Sequence, residues 1–152
     1  MWEKEAGTGV HECWNQLAAS ALAGGTNRFR IEGNTIRDNR YGITSYASTS
    51  TGIIKNNIIE NNNTQNNPDQ GGSGISIYGA KDVVITGNQI RGNLWGITIL
   101  SNGTAILGTE ENHGNNIFKN NGNRGTTTAL FNNTTLPVSA VYNCWREHGE
   151  KE

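Results

Sequence analysis

The chain is poor in charge. Of its 152 residues, 16% are Asp, Glu, Lys or Arg, and the net charge is −1; ordinary domains carry about 25% charged residues. There is no basic footprint of the kind nucleic acid requires and no polybasic cluster suited to anionic lipid. Neither nucleic acid nor a membrane is an expected partner. Long apolar runs are also missing. "NQLAASALAGG" (Asn15 to Gly25) is far too short to span a bilayer, and "MWEKEAGTG" at the start lacks the apolar centre of a secretory leader. Cysteine is scarce: Cys13 and Cys144 lie near opposite ends and neither sits in a C-x-x-C, so the usual zinc and redox motifs are absent. No cofactor and no metal are expected.

Uncharged polar residues fill the gap: Asn, Thr, Ser and Gly. That composition suits a disordered chain, and it equally suits a solenoid whose every turn needs a small or amide residue. Periodicity decides. The heptad "GNTIRDN" (Gly33 to Asn39) returns as "NNIIENN" (Asn56 to Asn62), "GNQIRGN" (Gly87 to Asn93) and "GNNIFKN" (Gly114 to Asn120). Aligned on Asn34, Asn57, Asn88 and Asn115, the steps are 23, 31 and 27 residues. Similar turns separated by loops of unequal length account for both the recurrence and the uneven spacing.

Other positions keep the same register. Ile36, Ile59, Ile90 and Ile117 form one series, and Asn39, Asn62, Asn93 and Asn120 another. Ile31, Ile54 and Ile85 stand five residues upstream of the first three isoleucines; the fourth copy has Asn112 there. Downstream come "YGIT", "SGIS", "WGIT" and a degraded "TALF", which aligns Ile43, Ile75, Ile97 and Leu130. Each unit therefore reads as strand, Asn turn, strand, Asn turn, strand, loop. Arg37, Glu60 and Arg91 share one slot, as do Glu32 and Lys55. Alternating signs in neighbouring strands are favourable and support the alignment without using hydrophobicity. The insertions fall at Asn63 to Gly72, Leu107 to His113 and Asn121 to Thr126.

The phrase I-x-G-N-x-I-x-x-N followed by x-G-I-x, clearest in "IEGNTIRDNRYGIT" and "ITGNQIRGNLWGIT", resembles the parallel β-helix repeat family, with its pectate-lyase-like fold. The resemblance covers roughly Phe29 to Trp145. It implies an all-β, right-handed parallel β-helix of about five to six coils. Coils stacked at about 4.8 Å would turn equal positions into ladders. The expected layout is a single β-helix domain, 1–152. Residues 1–26 form an N-terminal cap or first coil, 27–134 four repeat coils, and 135–152 a final coil and polar tail. Asn143 and Trp145 fit the asparagine and isoleucine slots of that final coil. Val10 to Trp14 is read as a coil before the first, and "NQLAASALAGG" alternatively as a short capping helix ended by Gly24-Gly25. Trp14 and Trp145 then cap the two open ends. Cys13 and Cys144, several stacking steps apart, lie beyond disulfide reach. The resemblance favours an extracellular or periplasmic location.

Relatives of this fold include polysaccharide lyases, polygalacturonase-like hydrolases, uronan epimerases and phage tail spikes, so the fold alone names no activity. Their hydrolytic pattern of closely set aspartates with a Gly-His-Gly is missing here. There is no Asp-Asp pair, and "NHG" (Asn112 to Gly114) is the nearest phrase. Glu110, Glu111 and His113 are the densest ionisable group and the catalytic candidates, weighed against a plain solvated loop. Aromatic residues are the stronger lead. Tyr41 and Trp95 share a slot, with Ser73 between, and Tyr46 and Tyr78 share another. Rings in such positions can stack on a ligand or merely cover loop packing. Thr44, Ser76 and Thr98 also share a slot, thin support for an ice-binding face. The preferred reading is a small non-catalytic module that binds carbohydrate or another surface, with a polysaccharide as partner. The alternatives are a lyase, hydrolase or epimerase, or a fragment of one, and a structural protein assembling copies through its open ends.

Overall fold

The repeated turn is built from a dipeptide. Its first member adopts a left-handed backbone: Gly33, Asn56, Gly87 and Asn115 at one corner (φ 51° to 69°), and Asp38, Asn61, Gly92 and Asn120 at the next (φ 54° to 63°). Glycine enters this region freely, and Asn and Asp more readily than other residues. The second member is an asparagine turned inward: Asn34, Asn57, Asn88 and Asn116, then Asn39, Asn62, Asn93 and Asn121, all buried. A computed structural model of the chain describes residues 3–5 and 18–146, with side chains described for 24–146 except Arg124.

Two such corners per coil separate three parallel sheets of five strands each. The first sheet holds β1 (Glu3–Glu5), β3 (Arg28–Glu32), β6 (Thr51–Lys55), β9 (Val83–Thr86) and β12 (Ala105–Ile106). The second holds β4 (Thr35–Arg37), β7 (Ile58–Glu60), β10 (Gln89–Arg91), β13 (Ile117–Lys119) and β15 (Cys144–Arg146). The third holds β2 (Ala18–Ala23), β5 (Tyr41–Tyr46), β8 (Ser73–Tyr78), β11 (Trp95–Leu100) and β14 (Leu130–Asn132). The one helical turn among the described residues is a 3-10 turn at Asn123–Gly125.

Register turns the sequence series into columns. Ile36, Ile59 and Ile90 are paired in successive strands, as are Ile31, Ile54 and Ile85, and Ile43, Ile75, Ile97 and Leu130. The isoleucines are buried, each contributing about 1.5–3 kcal/mol by leaving water. In the fourth copy the expected register is wrong by one residue. Ile90 pairs with Phe118, and the ladder asparagines are Asn116 and Asn121, not Asn115 and Asn120. Ile117 points outward, 42% exposed, while Phe118 is fully buried. Asn115 instead supplies the left-handed residue that Gly87 supplies one coil earlier. Leu107, expected inside an insertion, is fully buried, so the inserted loop starts after it. Trp145 does take the isoleucine slot: it pairs with Phe118 and the rings stack at 4.2 Å.

The N-terminal expectation also needs correction. Ala18–Ala23 is a strand, not a capping helix, and pairs in parallel with β5. Alanine's helix preference is weak beside the ladder that β5 offers an adjacent chain. Gly24 and Gly25, both at positive φ, turn the chain out of that strand. Val10 to Trp14, including Cys13, lies outside the described residues. Cys144 is a free thiol.

Two steps of the charge ladders carry ion pairs, while Arg37 pairs with Glu60 in backbone register and meets Asp38 at 3.8 Å. Arg91 meets Glu60 at 2.7 Å, and Lys55 meets Glu32 at 3.2 Å, with Arg30 at 2.6 Å on the same carboxylate. Partial burial by itself would raise the Glu32 carboxyl. The hydrogen bonds from Lys55 and Arg30, with their charges, outweigh it and hold Glu32 below the ordinary glutamate range. A depressed carboxyl stabilises the fold above the pH where the unfolded glutamate titrates, and that contribution is lost as pH falls through the folded value. Glu32→Gln is therefore expected to lower the urea midpoint slightly at neutral pH and to leave it unchanged in acid. Equal shifts at both pH values would assign the effect to packing instead.

Candidate functional site

The outer face of the third sheet carries a groove enclosing about 620 Å³, within the range of ligand clefts. Strand alternation builds it. In β5, β8 and β11, Ile43, Ile75 and Ile97 point inward, so Thr44, Ser76 and Thr98, one residue on, point outward and align as its floor. Two residues further, Tyr46 and Tyr78 rise as one wall, their rings stacked at 4.6 Å. They are 56% and 38% exposed. Tyr41 and Trp95, at the strand starts, belong to the opposite wall.

That wall is completed by the insertion at Asn63 to Gly72. Arg40 Nε donates to Gln70 O (2.5 Å), Tyr41 Oη donates to the same oxygen (3.2 Å), and Trp95 Nε1 donates to Pro68 O (3.4 Å). Backbone bonds clamp the loop's end: Gly72 N–H to Arg40 O, and Trp95 N–H to Gly72 O. Gly71, at φ 133°, lies so close to the Tyr41 ring that a Cβ would come within 2.6 Å of Cζ. Both readings of Tyr41 and Trp95 thus describe the same rings, which hold the loop and face the groove. The Arg40 guanidinium lies 5.5 Å from the Tyr41 ring centroid.

The floor is polar. Ser73 and Thr98 share a hydrogen bond between hydroxyls at 3.0 Å. Thr44 Oγ1 is buried and has no hydrogen-bond partner among the described residues. An unpaired buried hydroxyl costs about 1–3 kcal/mol. Among the described residues two charged ones line the groove, Arg40 and Asp69.

Glu110, Glu111 and His113 are not brought there. They belong to the exposed loop joining the first sheet to the second, and none lines the groove. Tyr142 Oη donates to Glu110 Oε2 at 2.7 Å, and the His113 ring stacks on Tyr142 at 3.8 Å. The carboxylate of Glu110, aided by partial burial, raises the Tyr142 hydroxyl above the ordinary tyrosine range. Tyr142 was missed in sequence, because its role depends on the last turn stacking beneath the 108–114 loop. Among the described residues no group of three or more His, Cys, Asp or Glu could hold a metal. Sequence reasoning also missed Arg40, Pro68, Asp69 and Phe131 in the groove. Phe131's signal was its place in the Thr98 slot; the loop residues gave none beyond lying in an insertion.

The sequence model described as "right handed beta helix region" matches residues 9–113, more than half of the chain. No curated protein and no solved structure matches it.

Proposed function

The chain belongs to the right-handed β-helix family, and we propose that it is a non-catalytic member that binds a neutral glycan in the groove of the third sheet. The observation that carries this reading is the convergence of two aromatic walls on a hydroxyl floor. A sugar ring has an apolar face of C–H groups and an equatorial rim of hydroxyls. Tyr41, Trp95, Tyr46 and Tyr78 offer surfaces for the first; Ser76 and Ser73 offer partners for the second. Support for a non-catalytic role comes from the lining itself. Among the described residues Asp69 is its one carboxylate, whereas glycoside hydrolysis generally uses two flanking the bond.

The test is an array of neutral and acidic polysaccharides followed by titration calorimetry on any that bind. Wild type is expected to bind a neutral glycan, and Tyr78→Ala to weaken it about tenfold, the equivalent of roughly 1.4 kcal/mol. Tyr78 is chosen because its ring stacks on Tyr46, while Trp95 also anchors the loop. Binding to none of the polysaccharides at millimolar concentration would end this reading.

A further inference from the structure

The groove differs at its two ends. Its floor row runs Thr44, Ser76, Thr98, one residue per strand at about 4.8 Å spacing. In the next strand the same slot holds Phe131, paired with Thr98. A hydroxyl-bearing floor thus gives way to a ring standing on the groove line. The ring is fixed there: its centroid is 5.1 Å from that of Trp95, with the planes tilted by 36°. Wall and end stop touch, so the floor does not continue past Thr98 along that side. On the other side the floor row starts at Thr44 of β5, whose backbone pairs with β2.

A polymer lying across its middle needs a trough open at both ends. A trough stopped at one end accepts a chain terminus. We propose that the groove recognises the end of a glycan chain, with the terminal sugar against Phe131 and Trp95 and the remainder running over Ser76 and Thr44 toward β2. The proposal rests on the carbohydrate reading above and adds which part of the polymer is bound. It also gives Phe131 a specificity role: the ring sets where the ligand stops.

The experiment separates the two claims. Hexasaccharides of soluble linear neutral polymers, a mixed-linkage β-glucan, a glucomannan and a pullulan, are titrated with the full chain, alongside soluble fractions of the same polymers about tenfold longer. For whichever polymer binds, one protein per chain is expected at both lengths, with similar affinity per chain. Phe131→Ala, at a partly exposed position whose thermal melt checks folding, is expected to let the number bound per long chain rise several-fold. If the wild-type number already rises with chain length, chain-end recognition is wrong and glycan binding stands. An unchanged stoichiometry for Phe131→Ala would remove Phe131 as the stop. If no oligomer or polymer binds, here or on the polysaccharide array, both proposals fall together.

Discussion

Asn88→Ala is expected to lower the stability of the chain by about 3–5 kcal/mol, a large part of the 5–15 kcal/mol that holds a typical domain folded. The side chain is fully buried and serves three coils at once. Its Oδ1 accepts from the backbone N–H and the side-chain amide of Asn57, both at 3.0 Å. Its own Nδ2 donates to Ile54 O (2.9 Å), Thr86 O (3.0 Å) and Asn116 Oδ1 (3.0 Å). Alanine removes all of these and strands the Asn57 N–H where water does not reach. Each buried orphan costs about 1–3 kcal/mol. Guanidinium unfolding followed by circular dichroism measures the loss; a change below about 1 kcal/mol would mean the ladder accompanies the corner without stabilising it. Asn88→Asp sharpens the test. A carboxylate keeps the acceptor for Asn57 but faces Asn116 Oδ1 and the Ile54 carbonyl with no proton to donate. Its pKa would be raised by folding, so this variant should gain stability relative to wild type as pH falls through that raised value.

The same ladder shows how much of the fold was legible. Three of four turn copies gave their register directly, because one N-x-I phrase repeats in them. The fourth misled because "GNNIFKN" contains Gly-Asn followed by Ile at the same spacing as "GNTIRDN". The correct match was nonetheless present. "NNIIENN" and "NNIFKNN" (Asn115 to Asn121) agree at every position type, with Phe118 for Ile59 and Lys119 for Glu60. Choosing between them required knowing that the residue before the ladder asparagine must be left-handed, a condition that Asn and Gly meet equally. The strand at Ala18–Ala23 was illegible for a different reason: what makes it a strand is β5 beside it, not its own alanines.

The site was legible in its walls and not in its floor. Tyr41 with Trp95, and Tyr46 with Tyr78, stand out because aromatic residues are few and recur in register. Thr44, Ser76 and Thr98 were seen to share a slot, but in a chain rich in Ser and Thr that row did not mark a groove floor. Only the strands' alternation puts them between the rings. Arg40, Pro68 and Asp69 depend on where a ten-residue insertion lies, which no periodicity governs. Glu110, Glu111 and His113 drew notice for their density, yet they lie in the loop between the first and second sheets, away from the groove.

Gly96→Ala is expected to be as damaging as Asn88→Ala, by sterics alone. The glycine of each x-G-I phrase sits beneath the next coil's backbone. A Cβ on Gly96 would overlap the carbonyl oxygen of Ala129, and one on Gly74 would lie 2.8 Å from Asn93 Nδ2 and 2.9 Å from Gly96 O. Backbone oxygen and ladder amide cannot swing aside as a flexible side chain would. The coils must part, breaking the Gly96 N–H bond to Thr128 O and the Ile97 N–H bond to Ala129 O. Overpacking costs about 1–3 kcal/mol even where a core relaxes; here the loss should exceed about 3 kcal/mol. Gly33→Ala is the matched control. Gly33 has open space at its Cβ position but φ 69°, so alanine there should cost only the left-handed strain of about 1–2 kcal/mol. The fourth coil carries Ala129 in the glycine column itself, which fits a slot with no further described third-sheet strand stacked on it. If Gly96→Ala and Gly33→Ala lower the denaturation midpoint equally, coil stacking is not what demands glycine in this phrase.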